Sequence, residues 1–304
     1  MRKMAKGIIS IVLAIIMAIS VIPTDIYAAD ETSSTESQSI ASGTCGDNLN
    51  WEVTADYKMV ISGSGDMYDY WNKNVDKELI LAPWAEYASD IREIVIGDAV
   101  TKIGRYAFCD FTSLTEVTIP NNVTYVGKAA FNGATALEEM TLPFVGQGEG
   151  AKSNSQTGLL GYMFSPTEYE GSVKCTQTSS DRNNFYTAYL PASLKKVTVT
   201  GPTLLAGAFS GCTALEEVIL SGDVSQIMSR TFENCTNLKE FTIPKSVSAV
   251  DLYAFSGCES MKSFTILSDF TCKDTSFDSD YVESIYISCD VYDLYYDKTT
   301  SQWL

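Results

Sequence analysis

The stretch Leu114–Ala136, LTEVTIPNNVTYVGKAAFNGATA, constrains this chain most, because it returns in altered form. Leu215–Asn237 reads LEEVILSGDVSQIMSRTFENCTN and Leu238–Ser260 reads LKEFTIPKSVSAVDLYAFSGCES, each again 23 residues long. A period in the twenties that opens on a strand-like pattern specifies a solenoid. Within one copy, Leu114, Val117 and Ile119 fall on one side of a short strand, since side chains alternate along it. Pro120 and Asn121 end that strand: proline has no N–H to give a ladder, and asparagine favours turns. Val123 and Val126 point inward again, and Ala129, Ala130 and Phe131 carry the chain back. One unit buries almost nothing alone, and stacked units form a continuous core.

The pattern V-x-x-I-G-x-x-A-F-x-x-C-x-x-L-x-x-V-x-I-P occurs here as Val100, Ile103, Gly104, Ala107, Phe108, Leu114, Val117, Ile119 and Pro120. It resembles the BspA-type leucine-rich repeat of bacterial surface proteins. The resemblance runs from about Ile91 to Ser260, with one long interruption. It implies a leucine-rich repeat solenoid: a parallel β-sheet with short return segments. It also implies a non-catalytic binding module, secreted or at the cell surface, whose partner is an extracellular protein of a host or neighbouring cell. A structural spacer module and a saccharide-binding protein are the alternatives.

Composition limits the chemistry. The 304 residues carry a formal charge of −17. An acidic balance argues against nucleic acid, which needs a basic footprint. Histidine is absent, which removes Ser-His-Asp and Cys-His catalysis and histidine-bearing zinc sites. No nucleophile elbow, zinc motif or nucleotide loop is present, and the chain is not expected to be an enzyme or to hold a cofactor or metal. Eight cysteines raise the question of disulfides. Cys212, Cys235 and Cys258 stand one period apart in a slot that also accepts Ala134, so an inward column of reduced thiols is expected. Cys272 and Cys289 are the candidate bridged pair, and Cys45, Cys109 and Cys175 have no obvious partner.

In chain order, residues 1–28 read as a signal peptide, with Arg2, Lys3 and Lys6 before the apolar run Ile8–Ile22. That run is short for a membrane span, which needs about 20 residues. Contact with a membrane is therefore expected only before cleavage, and an uncleaved anchor is the alternative. Residues 29–42, rich in Ser, Thr and Glu, read as a disordered leader. Residues 43–90 form a small β cap with a hairpin turn at Ala55-Asp56. The segment Gly63-Ser64-Gly65-Asp66 lacks the lysine and helix of a phosphate loop and reads as a tight turn. Repeats occupy residues 91–281, starting at Ile91, Leu114, Leu137, Leu194, Leu215, Leu238 and Met261. After Leu142-Pro143 the chain leaves the pattern and returns at Leu194, so residues 144–193 form an insertion, expected as a side loop or small hairpin. Residues 282–304 supply a last strand and a cap.

Two surfaces are candidate sites. By register Glu93, Glu116, Glu139, Lys196, Glu217 and Glu240 point out of the sheet in one column. Val95, Thr118, Thr141, Thr198, Ile219, Thr242 and Thr265 form a second. Like charges about 5 Å apart repel by a little under ~1 kcal/mol per pair in water. The glutamate row is either a solvated face, a surface for a basic protein patch, or a weak calcium site; a flat ladder gathers too few oxygens for calcium. In the insertion, Tyr162, Phe164, Tyr169, Phe185, Tyr186 and Tyr189 either stack on a glycan or protein ligand, with Tyr162, Phe164, Tyr186 and Tyr189 the ligand-binding candidates, or pack the loop onto the solenoid.

Overall fold

The computed structural model describes residues 38–70, 80–180 and 184–268, and beyond these the backbone of short strands at 271–272, 284–287, 296–297 and 302–303. The signal peptide, most of the leader, and the side chains of the Cys272–Cys289 candidate pair lie outside the described residues.

The cap holds β1 (Ser39–Thr44), β2 (Leu49–Thr54), β3 (Lys58–Gly63) and the two-residue β4 (Gly65–Asp66). The repeats then contribute a main strand and, in most coils, a short strand on the return side. These are β5 (Glu93–Ile96) and β6 (Val100–Ile103), β7 (Glu116–Thr118) and β8 (Tyr125–Val126), and β9 (Glu139–Leu142). A hairpin of β10 (Ser172–Thr178) and β11 (Phe185–Pro191) follows, then β12 (Lys196–Val199). The remaining coils give β13 (Glu217–Leu220) and β14 (Gln226–Ile227), β15 (Glu240–Ile243) and β16 (Ala249–Val250), β17 (Ser263–Ile266) and β18 (Thr271–Cys272), and finally β19 (Ser284–Ile287).

The cap begins earlier than expected. β1 pairs antiparallel with β2, from Ala41 opposite Val53 to Thr44 opposite Asn50, so a strand reaches into the stretch read as leader. Its side chains are almost all exposed, Ile40 included, and they do not alternate between apolar and polar as a half-buried strand would. Backbone pairing on β2 holds it, and hydropathy does not reveal that. β2 and β3 form the expected hairpin, with the Tyr57 N–H donating to the Thr54 carbonyl at 2.9 Å. β3 then runs parallel to β5, with Lys58 opposite Glu93 and Ile61 opposite Ile96. The cap thereby covers the edge that the first coil would otherwise leave bare.

Parallel pairing in register gives the coils their stacking. Glu116 lies opposite Glu139, Glu139 opposite Lys196, Lys196 opposite Glu217, and Glu240 opposite Ser263. Every second residue of these strands is buried, including Val117, Met140, Val197, Val218 and Phe241. On the return side, the N–H of one coil's phenylalanine donates to the next coil. Phe108 reaches Ala130 at 2.8 Å, Phe131 reaches Met163 at 3.0 Å, and Phe232 reaches Ala254 at 2.8 Å. The rings make a ladder inside: Trp84–Phe108 at 6.4 Å, Phe108–Phe131 at 5.4 Å and Phe131–Phe164 at 6.4 Å. It resumes at Phe209–Phe232, 5.4 Å apart, and Phe232–Phe255, 5.0 Å apart.

The long interruption differs from the expectation in one respect. The chain returns to the repeat pattern at Leu159–Phe164, well before Leu194. Ala129 donates to the Tyr162 carbonyl at 2.9 Å, and Phe164 is fully buried, so this segment is the third coil's return. The additional residues form two excursions. One is the turn 146–158; the other is the β10–β11 hairpin, paired from Ser172 opposite Pro191 to Thr178 opposite Phe185. The hairpin lies against the fourth coil because glycines there admit its backbone. A Cβ on Gly207 would sit 1.9 Å from the Thr178 carbonyl oxygen, and one on Gly211 would sit 2.3 Å from that of Thr176. Both glycines have positive φ, a region that other residues enter at a cost.

Between the third and fourth coils the direct bond from phenylalanine N–H to the next coil is missing, and the Phe164 N–H closes locally on Gly161. The fully buried Gln177 of β10 fills the junction. Its Oε1 accepts from the Gly161 N–H at 2.6 Å, and its Nε2 donates to the Ala208 carbonyl at 3.2 Å.

The thiol column is inward and reduced, as expected, and has an additional member. Cys175 of the hairpin lies with its Sγ 3.6 Å from that of Cys212. The Cys235 and Cys258 thiols donate to the Phe209 and Phe232 carbonyls, each at 3.1 Å. Burial pushes the Cys212 and Cys235 thiols well above their ordinary range. A buried, neutral thiol is an inert packing group.

Candidate functional site

The main strands fix one face of the sheet toward solvent. Strand alternation sends Leu, Val, Ile and Phe inward, so the residues between them must point out. The structure sets Glu116, Glu139, Lys196 and Glu217 side by side in one registered row, while Glu93, opposite Lys58, and Glu240, opposite Ser263, hold the same position in the neighbouring sheets. The second column is Val95, Thr118, Thr141, Thr198, Ile219, Thr242 and Thr265, with Val95 and Ile219 exposed.

The charges are more balanced than a glutamate row. Lys58 of the cap, one strand before Glu93, binds its carboxylate at 2.7 Å. Lys196 stands between two acids, with Nζ 3.3 Å from Glu139 and 3.9 Å from Glu217. A flanking row adds Lys195, Glu216 and Lys239: Glu216 pairs with Lys195 at 3.8 Å and is hydrogen bonded by Lys239. The Lys239 ammonium holds the Glu216 carboxyl below the usual carboxylate range. Such exposed pairs are each worth about 0–1 kcal/mol, so they set charge pattern more than stability. Among the described residues, Glu116 and Glu240 form no ion pair and remain exposed. Sequence reasoning missed Lys58, although its place before the alternating Met59 and Ile61 matches that of Glu93 before Ile94 and Ile96.

The aromatic candidates do not converge on a surface. Tyr162 is buried and Phe164 fully so, both as parts of the third coil's core. Burial, then a hydrogen bond with Tyr125, raises the Tyr162 phenol above its ordinary range. Tyr186 packs half-buried against the core, and Tyr189 is half-buried on β11. A stacking platform needs exposed ring faces, and these rings are used for packing; the ligand-binding expectation for Tyr162 and Phe164 is corrected on that ground. Phe185, at the start of β11, is the exposed ring of this hairpin, 68% accessible. Among the described residues no group of three or more His, Cys, Asp or Glu side chains is placed to hold a metal ion. No helix among them is long and apolar enough to cross a membrane.

A stacked array of strand-turn-return units with an inward Leu, Val, Ile and Phe register defines the leucine-rich repeat class. A family model described as the BspA type leucine rich repeat region matches in six copies, over residues 85–148 and 183–298. The chain belongs to this BspA-type leucine-rich repeat family. No curated protein matches it. Among solved structures it is similar to a leucine-rich repeat protein from Eubacterium ventriosum ATCC 27560. The identity is 19%, over 77% of this chain and 74% of that one, with a TM-score of 0.29. It is also similar to a leucine rich cell surface protein from Faecalibacterium prausnitzii A2-165. There the identity is 17%, over 82% of this chain and 95% of that one, with a TM-score of 0.31.

Proposed function

We propose that this chain is an exported, non-catalytic protein-recognition module that binds through the exposed face of its main sheet. The family is one of repeat modules suited to protein interaction, and the basic and apolar start of the chain supports export. One observation carries the reading. The sheet face sets backbone-fixed rows in which Lys58 pairs with Glu93 and Lys196 is shared by Glu139 and Glu217, while Glu116 and Glu240 stay exposed and unpaired among the described residues. The partner is an extracellular protein that offers basic groups at matching spacing.

The test is binding of the chain to a panel of purified extracellular proteins at 50 mM and 150 mM salt. The double variant Glu116→Gln/Glu240→Gln is run alongside. Exposed attraction is screened beyond about 8–10 Å at the higher salt. A salt-sensitive partner that the double variant loses supports the reading. Binding that ignores both salt and the double variant moves the site off this face. Absence of any partner leaves the spacer function as the better account, with the charged face serving solubility.

A further inference from the structure

We infer that a groove on the return side, beside the turn 146–158, binds an extended peptide segment carrying an arginine or lysine next to an apolar residue. This site is separate from the main sheet face and does not depend on it.

The groove arises where the return-side ladder breaks. That ladder runs β4–β6–β8, continues through one antiparallel bridge between Tyr125 and Gly148, and then stops. It resumes as β14–β16–β18. In the gap, the fourth coil passes as Thr200–Leu205 without forming a strand. The result is an open groove of about 680 Å³. That volume falls among ligand sites, which span about 300–1,000 Å³.

Its walls are fixed before any ligand arrives. Val123 and Val145 are buried in its floor, with the half-buried Phe144 and Leu205 beside them. Gly148, at φ +85°, lies so close over Phe144 that a Cβ there would be 2.4 Å from the ring and 2.4 Å from the Thr124 carbonyl oxygen. The Glu149 N–H donates to that carbonyl at 2.7 Å, which locks one rim. Across the groove, the Thr200 hydroxyl lies 2.5 Å from Asn121 Oδ1 and 3.2 Å from the Leu142 carbonyl oxygen. The hydroxyl and amide groups of this second rim therefore bond to each other.

The charge identifies the occupant. Among the described residues lining the groove, Glu149 is the one ionisable group. It is exposed, and its side chain meets only the Thr124 hydroxyl, at a weak 3.4 Å. An apolar floor with one under-used carboxylate at its rim matches an aliphatic side chain followed by a guanidinium or ammonium. The Thr200 hydroxyl proton is already given to Asn121 Oδ1, so the ionic group that an incoming residue meets in this groove is Glu149. A net charge of −17 further disfavours an acidic occupant.

The test uses the full chain and two fluorescein-labelled octapeptides rich in threonine and valine. One carries a single arginine between two leucines, and its twin has glutamate in place of the arginine. Fluorescence anisotropy at 50 mM salt is expected to show binding of the arginine peptide and none of the twin. Glu149→Gln is expected to weaken it about three- to fivefold and Leu205→Ser about tenfold, while Glu116→Gln/Glu240→Gln leaves it unchanged. Glu149 is exposed, so its variant should fold, and circular dichroism verifies this for both groove variants. Absence of binding to the wild-type chain, equal binding of the two peptides, or undiminished binding to a folded Glu149→Gln variant overturns the inference. Displacement by a neutral oligosaccharide also overturns it, in favour of a glycan site.

Discussion

Gln177 offers a sharp test of how the third and fourth coils are joined. In Gln177→Glu, a neutral carboxylic acid keeps both bonds: one oxygen accepts from the Gly161 N–H and the hydroxyl donates to the Ala208 carbonyl. Once ionised, the side chain turns an acceptor toward the Ala208 carbonyl and buries a charge in a fully enclosed site. The folded-state pKa of this acid therefore rises above its unfolded value of about 4.3. A raised acid contributes its stability below the unfolded pKa and loses it as pH climbs to the folded one. The loss runs at about 1.4 kcal/mol per pH unit. A rise of two to three units makes the variant about 3–4 kcal/mol weaker at pH 8 than near pH 4.5. In Gln177→Leu the loss is independent of pH. Ala208 keeps its 2.9 Å bond from the Leu160 N–H, but the Gly161 N–H is orphaned, at about 1–3 kcal/mol. Urea unfolding followed by far-ultraviolet circular dichroism, at half-unit steps from pH 5 to 8, measures both against wild type. A Gln177→Glu difference that stays flat across that range refutes the reasoning, as does a Gln177→Leu variant as stable as wild type.

Two further outcomes follow from the core and the hairpin contact. Because burial holds the Cys212 and Cys235 thiols well above their ordinary range, the unfolded chain releases those protons first in alkali. Their contribution is intact below about pH 8.5 and falls above it by up to ~1.4 kcal/mol per unit per thiol. Cys235→Ala, which copies the natural Ala134 in the same slot, should reduce the wild-type slope between pH 8.5 and 10 by up to ~1.4 kcal/mol per unit in urea titrations, with Cys212, Cys45 and Cys109 supplying the remainder. Gly211→Ala meets a positive φ of 67° and a 2.3 Å approach to the Thr176 carbonyl, and should cost about 2–4 kcal/mol. Gly65→Ala, at φ 99° with nothing within 4 Å, should cost about 1–2 kcal/mol, so thermal unfolding of the pair separates crowding from backbone strain.

Most of the array was legible because its signal is local and repeated. Leu114, Val117 and Ile119 declare a strand face by alternation, and the same offsets recur wherever the period holds. What escaped lay where the period breaks. Gly161-Tyr162-Met163-Phe164 plays the part of Lys128-Ala129-Ala130-Phe131, but its two central residues are large and it follows a lengthened turn, so it passed for loop. Tyr162 and Phe164 were consequently open to a surface reading that their burial removes. Cys175 and Gln177 belong to no repeat copy. Only the hairpin's contact with Gly207 and Gly211 carries them into the thiol column and the coil junction. The outward column was legible by residue, but its electrostatics were not. Lys58 comes from the cap, and the pairing of Lys196 with both Glu139 and Glu217 depends on register across the interruption.

The register itself bears on how such chains gain length. Between ordinary coils, the Ser221 hydroxyl reaches the Val199 carbonyl across 22 residues of chain. At the interrupted coil, the Thr200 hydroxyl makes the corresponding reach to Leu142 across 58, and the strands still meet residue for residue. Closure entropy grows only with the logarithm of the span, at about 0.6 kcal/mol per doubling. The longer path thus adds only ~0.9 kcal/mol to the ordering of that coil. Closing the longer path is a small cost, and the ordering of the hairpin itself is offset by its own β10–β11 pairing and by the packing of Cys175 and Gln177 on the fourth coil. New surface, including the wall of the return-side groove, arrives with the main strands β9 and β12 still in register, and the break falls on the return side alone.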